Sequence, residues 1–285
     1  MVVENQGTVV ITGASTGIGQ SCALLLDKLG FSVFAGVRQD IDAQTLKQKG
    51  SQRLTPIFLD VTDAESIASS ADQVTKAVGG AGILGLVNNA GIAIPGPLEL
   101  LAIAEFQKQM LVNVTGQLAV TQAFLGLLRQ SRGRIVNMGS ISGRVPSPFV
   151  GAYNASKSAL VALTDVLRIE LRPWGISVSI IEPGAIATPI WEKSLSQSEV
   201  AQQNLPESAQ KLYGQSMNIV RQKMQILAAG GISADIVAQA VVRALTAKHP
   251  RTRYLVGQDA KIGAILKHIL PDFWHDRLIL YLMGL

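Results

Sequence analysis

The feature of this chain that most restricts its fold is a repeated alternation. Short runs of β-branched and aliphatic residues recur, each followed by a helix-length amphipathic segment. The runs are TVVITG (8–13), SVFAGV (32–37), LTPIFLDV (54–61), ILGLVNNAG (83–91), GRIVNMGS (133–140), SVSIIEPG (177–184) and TRYLVG (252–257). Their apolar residues are continuous and do not alternate with polar ones, which is the pattern of strands buried on both faces. Strands linked through helices run parallel, and helices must then cover both faces of the sheet. The predicted fold is α/β: a doubly wound seven-stranded parallel sheet with right-handed crossovers. No Pro-, Gly- or Ser-rich linker divides the chain and no internal repeat is visible, so 1–285 reads as a single domain with its core over 8–187.

Composition narrows the function classes. The chain has 285 residues, 48% of them hydrophobic and 16% charged, enough for one large core. No uncharged apolar run approaches the ~18 residues of a membrane span. The start, MVVENQGTVVITG, lacks the basic and apolar regions of a signal peptide, so a cytoplasmic location is expected. The single cysteine, Cys22, excludes an internal disulfide framework and reads as a small core residue of the first helix. The net charge of +5 is scattered and not interleaved with aromatics, which argues against nucleic-acid binding. His249, His268 and His275 all lie near the C-terminus, so neither a metal site nor a histidine-based hydrolase triad is expected.

TGASTGIG (12–19) sits between the first strand and the first helix. Glycines there allow a tight turn and close approach of the backbone to a pyrophosphate, and the helix N-terminus supplies N–H groups. Gly13, Ser15, Thr16, Gly17, Ile18 and Gly19 are the candidates. The spacing is G-x-x-x-G-x-G, not the more familiar G-x-G-x-x-G. A carboxylate at the end of the second strand would bind the ribose diol of NAD. Here Val37 ends that strand and Arg38 follows, and a guanidinium suits a 2′-phosphate, so NADP(H) is the expected cofactor.

GAYNASKSAL (151–160) places Tyr153 and Lys157 four residues apart, on one face if the segment is helical. A lysine cation within about 4–6 Å favours a phenolate and makes the tyrosine a usable acid or base near neutrality. An ordinary surface pair is the alternative that these two residues alone leave open.

Taken together, TGASTGIG, LDV (59–61), NNAG (88–91), Asn113 in LVNVTG, Ser140 in NMGSISG, YNASK and PGAIAT (183–188) resemble the short-chain dehydrogenase/reductase family over positions 8 to about 190. The resemblance implies a Rossmann-type fold and hydride transfer between a nicotinamide cofactor and a carbonyl or alcohol. It implies Tyr153 as general acid or base, Lys157 lowering its pKa and holding the nicotinamide ribose, Ser140 orienting the substrate oxygen, and Asn113 at a helix irregularity anchoring a water chain. Asp60 and Val61 would meet the adenine, with Ser15, Thr16 and Arg38 near its ribose. Asn88, Asn89, Ala90 and Gly91 would stabilise the sheet and line the cleft. Pro183, Gly184, Ile186 and Thr188 would lie at the nicotinamide end. The sequons at Asn113 and Asn154 then fall inside the site and read as coincidence.

The segments 31–67 and 252–272 look like the retinoid and hydroxysteroid branch of that family, whose substrates are lipophilic. Residues 188–230 read as a substrate lid, with Trp191, Leu195, Leu205, Tyr213, Met217 and Met224 available to a greasy ligand. The extension 258–285 reads as helical, packing on the body with peripheral membrane contact as the alternative. A 3-ketoacyl thioester reductase is a second functional reading, and a cofactor-binding sensor with little turnover a third. Homodimers or homotetramers are expected through helix faces, one of them on the helix of Tyr153.

Overall fold

A computed structural model of the chain describes residues 6–188, 190, 194, 196, 199 and 205–285. Strands β1 (Thr8–Ile11), β2 (Ser32–Val37), β3 (Leu54–Phe58), β4 (Gly85–Asn88), β5 (Arg134–Met138), β6 (Ser177–Pro183) and β7 (Arg253–Val256) form one parallel sheet in the order β3-β2-β1-β4-β5-β6-β7. Successive side chains on a strand point to opposite faces. Val9 and Ile11 therefore enter one core layer and Val10 the other, and all three are fully buried. Two apolar layers are why the strand carries no polar alternation.

The helices follow in chain order: α1 (Gly17–Lys28), α2 (Asp40–Lys49), α3 (Ala64–Val78), α4 (Ile103–Met110), α5 (Gly116–Ser131), α6 (Gly151–Glu170), α7 (Glu207–Ala229), α8 (Ala234–Thr246), α9 (Gln258–Ile269) and α10 (Asp272–Met283). Cys22 and Leu26 of α1, Leu46 of α2, and Val241 and Leu245 of α8 fill one layer. Ile67 and Val74 of α3 and Phe124 and Leu128 of α5 fill the other. Burial pushes the Cys22 thiol up to about 12, so it is an inert core residue, as its sequence position suggested.

A π-turn, Leu111–Thr115, joins α4 to α5, and the continuous helix Ile103–Ser131 is long and apolar enough to cross a membrane by length and composition. In this fold its Val120, Phe124, Leu127 and Leu128 are core residues. The C-terminal helices also lie on the body. Asp259, in the first turn of α9, accepts a hydrogen bond from the Ala185 amide at 2.6 Å, and His275 of α10 is buried. The outer face of the extension leaves Ile262, Ile265, Ile269, Phe273 and Trp274 exposed, with the Arg277 guanidinium over both aromatic rings. Val166 and Ile169 of α6 are exposed too.

Candidate functional site

The sheet order reverses between β1 and β4, so the segments leaving their carboxyl ends part and open a crevice. The glycine turn leaves β1 and NNAG leaves β4. Thr12 fastens them together. Its Oγ1 accepts from the amides of Asn89 and Ala90, each at 2.9 Å. Asn89 Nδ2 in return donates to the carbonyls of Thr12 and Gly13, at 3.0 and 2.9 Å. Gly13 adopts φ 64°, and a Cβ there would stand 2.8 Å from the Ala90 Cα. That position requires glycine on both counts.

Gly13, Ser15, Thr16, Gly17 and Ile18 line a cavity of about 370 Å3. Thr16 precedes α1 in extended conformation, its side chain makes no cap, and no acidic residue occupies the first turn. The orphan N–H groups of that turn are thus left to an anionic ligand. Gly19 does not line the cavity; it is a packing residue against the Gly13 carbonyl and Asn89. Val37 ends β2 at the cavity and Arg38 follows it, and Asp60 and Val61 enter past β3. The exposed Arg38 guanidinium lies 3.9 Å from Asp60, whose Oδ1 accepts from the amide and hydroxyl of Thr62 at 2.9 and 2.8 Å. Uncapped helix N–H groups and a turn too tight for Cβ atoms fit the pyrophosphate of a dinucleotide.

Asn89, Ala90 and Gly91 form the floor. Asn88 is buried beneath, donating to Thr121 at 2.8 Å and to Asn137 at 2.9 Å, and Asn137 donates to Thr164 at 2.8 Å. This polar chain ties β4, β5, α5 and α6 under the site, each link contributing roughly 1 kcal/mol.

Ser140, Tyr153 and Lys157 share the same cavity, and all three are buried. Ser140 Oγ accepts from the Ser142 amide at 3.1 Å, which opens a 3-10 turn (Ile141–Gly143), and its hydroxyl also hydrogen-bonds Tyr153. Tyr153 and Lys157 are one turn apart on α6, with the ammonium 5.6 Å from the phenol ring centroid. The electrostatics differ from the sequence-based expectation. Burial pushes the Tyr153 phenol up, and the hydrogen bond with Ser140 is what pulls it down. Lys157 Nζ instead donates to the Met138 carbonyl at 2.7 Å, and burial lowers its pKa to about 8.

This shift has a sign that stability can report. Between pH 8 and 10.5 the unfolded chain holds a proton that folded Lys157 has released, so stability rises with pH across that window and is lost again as pH falls through 8. Lys157→Met is expected to remove this contribution, about 3 kcal/mol when fully expressed. Denaturant unfolding of chain and variant at pH 7.5 and 10.5 measures it as the difference between the two.

Asn113 lies in the π-turn, fully buried behind the cavity wall and not in its lining. It accepts from the Ile92 amide at 2.9 Å and donates to the Ile92 carbonyl and to Ser156 Oγ, both at 3.0 Å. Pro183, Gly184, Ile186 and Thr188 line the far end. Around the Tyr153 ring the surroundings turn apolar, with Ala93, Val150 and Ile190 packed together. Tyr213 of α7 is hydrogen-bonded to Glu99 and meets Phe149 edge-on at 6.3 Å, while Met217 is buried. Trp191 and Leu195 lie outside the described residues.

Gln109 and Gln117 were missed. Gln109 exchanges hydrogen bonds with Ile94 and Ile92 at 2.8 and 2.7 Å, and Gln117 donates to the Ala90 carbonyl. A signal existed: Gln109, Asn113 and Gln117 recur every four residues, which puts them on one face of the helix.

The family model for short chain dehydrogenases matches residues 7–199. The chain is 38% identical over 283 residues to retinol dehydrogenase 5 of Mus musculus, covering 96% of this chain and 88% of the relative. It is 37% identical over 279 residues to 17-beta-hydroxysteroid dehydrogenase type 6 of Homo sapiens, covering 95% and 87%. A solved short chain dehydrogenase from Burkholderia cenocepacia in complex with NADP is similar at a TM-score of 0.74 and 26% identity, over 98% of this chain and 99% of that one. One from Burkholderia phymatum in complex with NAD shares the fold at a TM-score of 0.77 and 24% identity, over 94% and 95%.

Proposed function

The chain belongs to the short-chain dehydrogenase/reductase family, in its retinol and hydroxysteroid dehydrogenase-like branch, and from that premise we propose that it interconverts a lipophilic carbonyl and its alcohol with NADP(H). The observation that carries the reading is the convergence of Ser140, Tyr153 and Lys157 on the cavity that the glycine turn enters from the other side.

The cofactor, held by the glycine turn, Arg38, Asp60 and the 183–188 segment, would supply or accept the hydride. This chain's residues handle the oxygen. Tyr153 gives a proton to the carbonyl oxygen in reduction and takes one from the alcohol in oxidation. Ser140, hydrogen-bonded to Tyr153 when no substrate is present, would turn its hydroxyl proton to the same oxygen and stabilise the charge that develops there. Lys157, fixed by the Met138 carbonyl, supplies positive charge behind the phenol. Asn113 holds the Ile92 backbone and Ser156 in place. The apolar cluster of Ala93, Val150 and Ile190 supports a greasy substrate, and α7, latched through Tyr213, is read as part of its lid. Arg38 supports NADP over NAD.

NADPH consumption with all-trans-retinal tests the substrate, alongside Arg38→Leu for the cofactor. Rapid consumption by the parent is expected. Loss of the guanidinium is expected to weaken NADPH binding about ten- to a hundredfold, with little change for NADH. Turnover of 3-ketoacyl thioesters with none of retinal or steroid ketones would replace this reading by thioester reduction. NADPH binding without turnover of any carbonyl would favour a sensor.

A further inference from the structure

Behind the cavity a group of charges is left unused by the chemistry above. Glu182, the penultimate residue of β6, is fully buried. Its Oε1 accepts from Arg144 Nε at 2.7 Å and lies 3.6 Å from an Arg253 guanidinium nitrogen. Arg253, on β7, also pairs with Asp165 of α6, which Arg168 holds at 2.5 Å. Arg144 directly follows the 3-10 turn that begins at Ser140. The same turn rides on α6: Ser158 Oγ donates to the Gly143 carbonyl at 2.9 Å, and a Cβ at Gly143 would stand 3.0 Å from the Lys157 backbone. One buried carboxylate thus joins the segment of Ser140, the strand running into Pro183 and Gly184, and, through Arg253, the helix of Tyr153 and Lys157.

A buried ion pair is weak evidence for stability, because desolvation offsets its attraction. Its value here is geometric. Arg144 reaches the Glu182 carboxylate through its Nε, and the carboxylate sits on β6, which is held between β5 and β7. We infer that Arg144 and Glu182 are positioning residues that set Ser140 within hydrogen-bond reach of Tyr153, beside the place where the substrate oxygen binds. The inference rests on the functional reading above. Because the Ser140 hydrogen bond lowers the Tyr153 pKa, a loosened turn raises it. When Tyr153 acts as base, the rising limb of alcohol oxidation then moves to higher pH.

Two variants keep the test clear of simple unfolding. Arg144→Lys retains the charge but loses the planar Nε–H donor that meets Glu182. Arg144→Met combined with Glu182→Gln removes the pair without leaving a lone buried carboxylate. Both are assayed as the full chain, with kcat corrected for folded fraction, NADPH affinity by fluorescence titration, and the pH profile of oxidation. Expected are a fall in kcat of about ten- to a hundredfold, nearly parental NADPH affinity, and an upward-shifted limb. Parental kcat with an unmoved limb would overturn the inference and leave the functional reading standing. A loss of activity that only tracks the folded fraction would overturn it too. A parent that turns over no carbonyl would bring down the functional reading and this inference with it.

Discussion

Tyr153→Phe is expected to lower kcat for carbonyl reduction by about 10²–10⁴-fold while leaving NADPH affinity nearly unchanged. Phenylalanine keeps the ring that packs with Ala93, Val150 and Ile190, so the cavity wall survives. Only the hydroxyl is lost, and with it the proton that the carbonyl oxygen must receive. Ser140 remains able to donate, which sets a floor: some charge stabilisation persists without proton transfer. Single-turnover NADPH oxidation, beside a fluorescence titration of cofactor, separates the two effects. A variant with parental kcat would remove Tyr153 from the chemistry. A variant that no longer bound NADPH would point to a structural role for the hydroxyl.

The fold was legible because its signals are local. Continuous apolar strands such as VVI and SVFAGV have nowhere to lie but between two helical layers, and the structure puts them there. The cleft was legible for a related reason. Gly13 and Gly17 stand at positive φ, the helix behind them starts uncapped, and each condition leaves its mark on a short stretch. Asn113 was placed at a helix irregularity, and it lies in a π-turn.

What was not legible depends on burial and on partners distant in sequence. The expected depression of the Tyr153 pKa treated the lysine charge as the main influence. Desolvation wins instead, and nothing in YNASK says how deeply the phenol sits. The partner of Lys157 is the backbone carbonyl of Met138, which no residue type announces. Glu182 and Arg144 are 38 positions apart and meet only once β6 and the Ser140 turn are side by side. Gly19 reads as a cofactor glycine by motif, yet its work is to let α1 approach the turn.

That last assignment gives a substitution whose sign is set by space alone. Alanine in place of an exposed helical glycine stabilises by roughly 0.5–1 kcal/mol, because glycine loses more backbone entropy on folding. Gly126 of α5 is such a position, with no atom within 4 Å of an added Cβ, and Gly126→Ala is expected to raise stability by about that amount. At Gly19 the Cβ would fall 2.2 Å from the Gly13 carbonyl oxygen and 2.4 Å from Asn89 Nδ2. Neither neighbour can give way cheaply. The first is turn backbone, and the second is the amide that donates to Thr12 and Gly13. Moving either one opens the clamp between the β1 and β4 loops. Overpacking of this kind costs about 1–3 kcal/mol, enough to reverse the entropic gain. Gly19→Ala is therefore expected to be less stable than the parent and to bind NADPH more than about tenfold more weakly, since α1 and its free N–H groups are displaced. Urea unfolding of both variants, with NADPH titration of each, checks the pair. A stable Gly19→Ala chain with parental NADPH affinity would mean that α1 can move away without disturbing the turn.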